Sequence, residues 1–344
     1  MHSGLKILRD LKTKSAADKH IVAKSLAPAF IRLSIQAILY IERTGCTERK
    51  AFSIEMKEFS EDEEDIPENF TSLEEARDLF NQTVNGLFRV FYSFNMDLPN
   101  SAHLEIFPLH ARYTKQLGKW NRSFEKFMQS NNSRLNSREL RGAAMLKIQH
   151  MTANIMAHTT TPNPDDPRPI SEVISEPELF EPYNPDFETI LQLSRSLVAA
   201  SEEDSKSGRS PLNFSADLGI VGPLYYCCVK PTDQRLRLAA MELLYRCQRR
   251  EGMWDSSALV PLIQGYWEIE KRHEALQDEI IHDNGEPVSL VKILDLVFRD
   301  GMKWEWKWKN TASTDMQAAS SYSWAEVLED RTLASVQERE KNNQ

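Results

Sequence analysis

Gly219-Ile-Val-Gly-Pro-Leu-Tyr-Tyr-Cys-Cys-Val-Lys230, Gln234-Arg-Leu-Arg-Leu-Ala-Ala-Met-Glu-Leu-Leu-Tyr-Arg-Cys247, Arg249-Arg-Glu-Gly-Met-Trp-Asp255 and Gly265-Tyr-Trp-Glu-Ile-Glu-Lys-Arg-His273 read as helical packing rather than an active site. Three helices are expected, Leu218 to Val229, Gln234 to Cys247 and Ser256 to His273. Turns at Lys230-Pro231 and Glu251-Gly252 join them, and connections this short make neighbouring helices antiparallel. In the second turn Gly252 is suited to the left-handed conformation that closes a helix. Trp254 can pack across the junction, and Asp255 or Ser256 can cap the next helix.

Upstream, the same periodicity continues. Phe187 to Ala200 is helical and is followed by a polar stretch, Ser201 to Ser210, read as a flexible insert. From Thr161 to Pro185 prolines stand at 162, 164, 167, 169, 177, 182 and 185, too densely for a helix of useful length. Residues 161–186 are therefore expected to be a linker or surface crossing between helical halves at 1–160 and 187–328. In the first half, helices are expected over Arg138 to His158, over His110 to Met128 through Tyr113, Leu117, Trp120, Phe124 and Phe127, and after Thr71 or Ser72. The last begins with Glu74 and Glu75 in its first turn, where the helix dipole favours carboxylates. Its stripe of Leu73, Ala76, Leu79, Phe80, Val84, Leu87, Phe88 and Phe91 is expected to be core. Helical patterns also run over 1–12 and over Leu26 to Glu42, and the chain reads as though it starts in mid-architecture.

Downstream the period changes. Asn284-Gly285 is a hairpin dipeptide, and Trp304, Trp306 and Trp308 alternate with charge over Lys303 to Lys309, which is strand spacing. A small hairpin within 279–309 and a flexible tail over 329–344 are expected. The fold class is thus mainly α, an irregular array of antiparallel helices with a small C-terminal β-hairpin. Only 12 glycines in 344 residues argue against a doubly wound sheet, and no fixed period supports a repeat.

Composition narrows the chemistry. A net charge of −9 supplies phosphate contacts poorly except at local clusters, Arg246, Arg249, Arg250 and Lys303, Lys307, Lys309, which read as solvated faces. The 4 cysteines have neither a disulfide-framework nor a zinc spacing, so a soluble, intracellular, reducing setting is expected. Cys227, Cys228 and Cys247 lie among Tyr225, Tyr226 and Tyr245 and read as buried small hydrophobes. His273-Glu274 has the first half of a zinc-protease helix motif, but Gln277 stands where the second histidine belongs. The acidic groups Glu61 to Asp65 and Asp165-Asp166 lie in loops, where they cannot converge on a metal-diphosphate. No catalytic, cofactor-binding, metal or DNA-binding residue is assigned, and no enzyme activity is expected. The Trp304, Trp306 and Trp308 rings are expected to pack on the helical body, with a partner or ligand surface as the alternative.

Three phrases occur in order: Ser3-Gly4-Leu5-Lys6-Ile7-Leu8, Ser72-Leu73-Glu74-Glu75-Ala76-Arg77 and Arg249-Arg250-Glu251-Gly252-Met253-Trp254-Asp255. Together they resemble the helical regulatory region that follows the DNA-binding module in fungal binuclear zinc cluster (six-cysteine) transcription factors. The resemblance covers roughly residues 1–275 and is most specific in the third phrase. It implies a nuclear regulator of a fungal secondary-metabolite gene cluster, working through protein partners of the transcription machinery, a related regulator or a small-molecule effector. Only Cys46 lies in the first two hundred residues, so the family's zinc ligands and DNA contacts map to no position here, and DNA would be reached through a module outside this chain or through a partner. The alternative from another class is a helical enzyme or small-molecule-binding accessory protein of secondary metabolism, whose aromatic stripes would line an apolar cavity.

Overall fold

The computed structural model describes residues 65–94, 98–161, 163, 165–174, 176–208, 214–215, 218–252 and 254–276, the strands at 282–283, 286–287, 294–299 and 303–308, and isolated positions 10, 15 and 26. The helices expected over 1–12 and 26–42, and the tail at 329–344, lie outside these residues. Among them the chain is mainly α, as expected, with seven helices, those of the first unit packed as antiparallel neighbours. They are α1 (Leu73–Ser93), α2 (Phe107–Asn131), α3 (Ser137–Thr159), α4 (Asn184–Lys206), α5 (Val221–Val229), α6 (Gln234–Cys247) and α7 (Ser256–Leu276). Contacts divide the chain into two units, Met1–Ser256 and Ser257–Gln344, and residues 161–186 run inside the first.

Local chemistry sets the helix starts. Ser72 is the N-cap of α1, its hydroxyl accepting from the Glu75 N–H, while the Glu75 carboxylate reaches back to the N–H of Thr71 at 2.6 Å and to its hydroxyl at 2.7 Å. Asn136 and Glu139 form a reciprocal capping box at the start of α3. These pairings satisfy N–H groups that a helix start otherwise leaves open.

The antiparallel order of α1, α2 and α3 is written in side-chain contacts. Trp120, near the middle of α2, donates its indole N–H to the Ala76 carbonyl early in α1 at 2.7 Å. Tyr113, about two turns earlier in α2, lies against Gly86, farther along α1, where a Cβ would overlap the phenol ring. Lys147 of α3 reaches both Asn121 (2.9 Å) and Glu125 (2.8 Å) of α2. The expected apolar stripes of α1 and α2 form one core with Trp120 at its centre, stacked on Phe124 at 4.6 Å and tilted against Phe80 at 5.0 Å.

From Ala143 to Ala157 helix α3 has no exposed residue: Ala143, Leu146, Ala153 and Ala157 enter that core, while Ile148, Met151 and Ile155 are buried outside it. A helical stretch without a solvent face belongs inside a domain, and α3 packs against α1 and α2 and also against α4 and α5. Beyond it a second apolar group gathers round Tyr226, with the rings of Phe187 at 6.0 Å and Phe180 at 6.3 Å. Helices α5 and α6 make the hairpin that the sequence predicts, joined through Pro231.

Two expectations are corrected. The stretch after Ala200 is no insert up to Lys206: α4 continues through Ser201-Glu202-Glu203-Asp204 because Glu202 pairs with Arg246 of α6 (2.9 Å) and Asp204 with Arg141 of α3 (2.9 Å). The left-handed residue that ends α6 is Gln248, with φ 42°, and Gly252 with φ 59° serves the following tight turn instead. Among its described residues the proline-dense crossing holds a single helical turn (Ile170–Val173), a 3-10 helix (Pro177–Tyr183) and, from Asn184, the start of α4. It is fastened near its start: Pro99 bridges Pro169, and Asn100 donates to the Arg168 carbonyl at 3.2 Å.

Three short strands close the first unit. β1 (Phe214–Ser215) pairs parallel with β2 (Arg250–Glu251), which pairs antiparallel with β3 (Trp254–Asp255). In the second unit β4 (His282–Asp283) and β5 (Glu286–Pro287) flank Asn284-Gly285. The expected hairpin is formed by β6 (Leu294–Arg299) and β7 (Lys303–Trp308), antiparallel, with Trp304, Trp306 and Trp308 in register with Phe298, Leu296 and Leu294.

Candidate functional site

The most specific phrase of the sequence, residues 249–255, carries a buried carboxylate held by backbone donors. Strand β2 carries Glu251 inward until 1% of it remains exposed. Its two carboxylate oxygens meet the first backbone donors of α5: Oε1 accepts from the Ile220 N–H at 3.1 Å and Oε2 from the Val221 N–H at 2.9 Å. The Gly219 N–H contributes as well, and the Arg249 Nε stands 3.7 Å from Oε1. Gly219 is required by this approach, since a Cβ there would overlap the carboxylate. Burial pushes the Glu251 carboxyl up from its ordinary range, and the three N–H groups with Arg249 pull in the opposite direction.

The rest of the turn locks Glu251 in place. Gly252 donates its N–H to the Ser215 carbonyl at 2.6 Å, and Arg249 and Ser256 exchange two hydrogen bonds, each at 3.0 Å, across the ends of the turn. Trp254 lies against Tyr225 of α5 at 5.5 Å between ring centroids, so the expected packing across the junction is present. The carboxylate is sealed from solvent and its oxygens are engaged, so it serves as a long-range cap for α5.

The basic residues near this turn are also engaged. Arg246 holds Glu202 and Glu242, and the Arg250 Nε donates to the Gly252 carbonyl at 3.3 Å. They form links inside the chain rather than an open phosphate-binding stripe. Cys227, Cys228 and Cys247 are buried, as the apolar reading expects. Burial pushes all three thiols up, Cys247 to about 12, so little reactive thiolate is present at neutral pH. Asp166 is held below the usual carboxylate range by its hydrogen bonds from Arg168, which also pairs with Glu176.

The chain matches no protein-family model, no curated protein and no solved structure.

His273 and Glu274 fall in α7, and Trp304, Trp306 and Trp308 in β7. Among the described residues no group of three or more His, Cys, Asp or Glu side chains is placed to hold a metal ion, and no helix is long and apolar enough to cross a membrane. Sequence reasoning missed β1 and the inward turn of Glu251. The available signal was the charged Arg249-Arg250-Glu251 run between two apolar helices, but the partners of Glu251 are 30 and 31 residues away. It also missed two histidines, His110 and His150, which the core encloses with exposures of 2% and 5%.

Proposed function

We propose that this chain is a transcription-factor-like regulatory protein of a fungal secondary-metabolite gene cluster, non-enzymatic and acting in the nucleus. It works through contacts with transcription-machinery proteins, a related regulator or a small-molecule effector, and reaches DNA through a separate module or partner. The observation that carries this reading is the ordered set of phrases at Ser3–Leu8, Ser72–Arg77 and Arg249–Asp255. The second phrase starts α1 at the Ser72 cap and the third ties β2 to α5 through Glu251, so both act as parts of a helical scaffold. The aromatic stripes behind the enzyme alternative are filled by one another, with Trp120 stacked on Phe124, which favours the regulatory reading.

Fusing the whole chain to an unrelated DNA-binding module in a fungal host, with a reporter downstream, tests this reading. The expected result is a nuclear fusion that raises or lowers reporter transcription and co-purifies with transcription-machinery proteins. An unchanged reporter together with exclusion from the nucleus overturns it.

A further inference from the structure

Two histidines cross-brace the same helix pair in the same register. His150 of α3 bonds through Nε2 to the Leu117 carbonyl of α2 at 3.0 Å, and His110 of α2 bonds to the Ala157 carbonyl of α3. A carbonyl oxygen only accepts, so the bonded nitrogen carries the hydrogen in each ring. That leaves a basic lone pair on His150 Nδ1 and on His110 Nε2, and both atoms are enclosed without a hydrogen-bond partner. The His150 ring is stacked on Trp120 at 5.1 Å and flanked by Phe80 at 6.2 Å, and His110 lies 6.1 Å from the Phe91 ring.

We propose that this pair is an acid-sensitive latch, which holds α2 against α3 while both imidazoles are neutral and releases α2 when they take up protons. An imidazolium here would place a charged N–H among aromatic rings with no acceptor. The surrounding charges do not relieve it. Lys147, one turn from His150 on α3, is a cation, and the nearby carboxylate, Glu125 of α2, is bound by that lysine at 2.8 Å. Helix α1 turns Phe80 toward His150, while its Arg77 and Asp78 pair with each other at 3.0 Å. Asp186 of α4, beyond α3, interacts with Lys147. The titratable neighbour of His110 is His158 of α3, another base, and Arg112 on its own helix lies over the Tyr113 ring.

Burial carries the His150 imidazole down to about 4 and lowers His110 as well. A histidine with a depressed folded-state pKa contributes stability above its unfolded value of 6.5, and that stability is lost as the pH falls toward 4. For His150 alone, this raises the opening equilibrium about 30-fold between roughly pH 7.5 and pH 5. Helix α2 packs on α1 and α3, whereas α6 packs on α4 and α5, so the effect is confined to one side of the unit.

The test is hydrogen exchange on the whole chain at both pH values, corrected for intrinsic exchange rates and read separately for α2 and α6. The latch predicts an opening of α2 that rises at least about 30-fold on acidification while α6 shows no such rise, and a response that is reduced about 30-fold in His150→Gln, where only His110 remains to titrate. An α2 response that is absent, equalled in α6, or undiminished in His150→Gln overturns it. Should that variant fail to fold, nitrogen-detected NMR of the wild type decides. A His150 ring that stays in the Nε2–H form at pH 5 while α2 is closed supports the latch, and one that titrates near its ordinary value in the closed state overturns it.

Discussion

In the α1–α3 half of the first unit, His150 is enclosed by Trp120 and Phe80 with one ring nitrogen unpartnered. In the α4–α6 half, Glu251 is buried more deeply still, yet three backbone N–H groups and a guanidinium reach its carboxylate. The difference teaches that depth alone does not decide what a buried ionisable group does. His150 is kept neutral because nothing is placed to receive a second N–H. Glu251 is useful because the start of α5 offers donors that have no partner within the helix. One half is held by apolar rings around a polar group that must stay uncharged, and the other by a polar group that organises the backbone.

The sharpest way to break the comparison is at the apolar centre. Trp120→Ala removes a fully buried indole and its bond to the Ala76 carbonyl, and about 4 kcal/mol of unfolding free energy is expected to be lost in urea titrations. A loss near zero would mean that the rings of α1 and α2 do not form the core described.

Glu251→Leu probes the polar half. It leaves the Gly219, Ile220 and Val221 N–H groups and Arg249 without their acceptor, at an expected cost of about 3 kcal/mol. Glu251→Gln keeps a carbonyl acceptor, costs less and removes the titration. Because the folded-state pKa of Glu251 is raised above 4.5, its contribution is fully present below that value and is lost as the pH rises through the folded value. The stability gap between wild type and Glu251→Gln should therefore shrink as the pH rises across that window. A gap that widens reverses the assigned sign.

Gly86→Ala sharpens the comparison within the apolar half, because a methyl group there meets the Tyr113 ring rather than a void. A loss of about 2 kcal/mol is expected, measured by thermal unfolding, and a neutral result would show that Tyr113 has room to move. The smallest effect belongs to Ser72→Ala, which removes the side-chain cap of α1 and leaves the core untouched. About 1 kcal/mol is expected in the same thermal assay.

Much of the helical scaffold was legible from periodicity. The Gln234–Cys247 helix, the Ser72 cap and the apolar stripes of α1 and α2 all depend on contacts within a few residues or on one face of one helix. The β6–β7 hairpin was legible for the same reason, since alternation is a local pattern. The end of α4 was misread because Ser201-Glu202-Glu203-Asp204 looks like loop composition. Its helix is held by Arg141 and Arg246, which stand 63 and 44 residues away. Gly252 was misplaced as a helix closer because a glycine pattern does not say which of two adjacent turns needs the positive φ, and Gln248 took that role.

The sequence by itself determined a mainly helical chain, its antiparallel α5–α6 hairpin, the buried character of Cys227, Cys228 and Cys247, and the order of the three phrases behind the regulatory reading. Only the tertiary structure decided that α3 runs inside the first unit, that Glu251 caps a helix 30 residues upstream and that His150 bonds to a carbonyl 33 residues before it. Helix formation and capping are governed by neighbours along the chain, whereas the state of a buried charge depends on which donors and rings the packed helices bring to it.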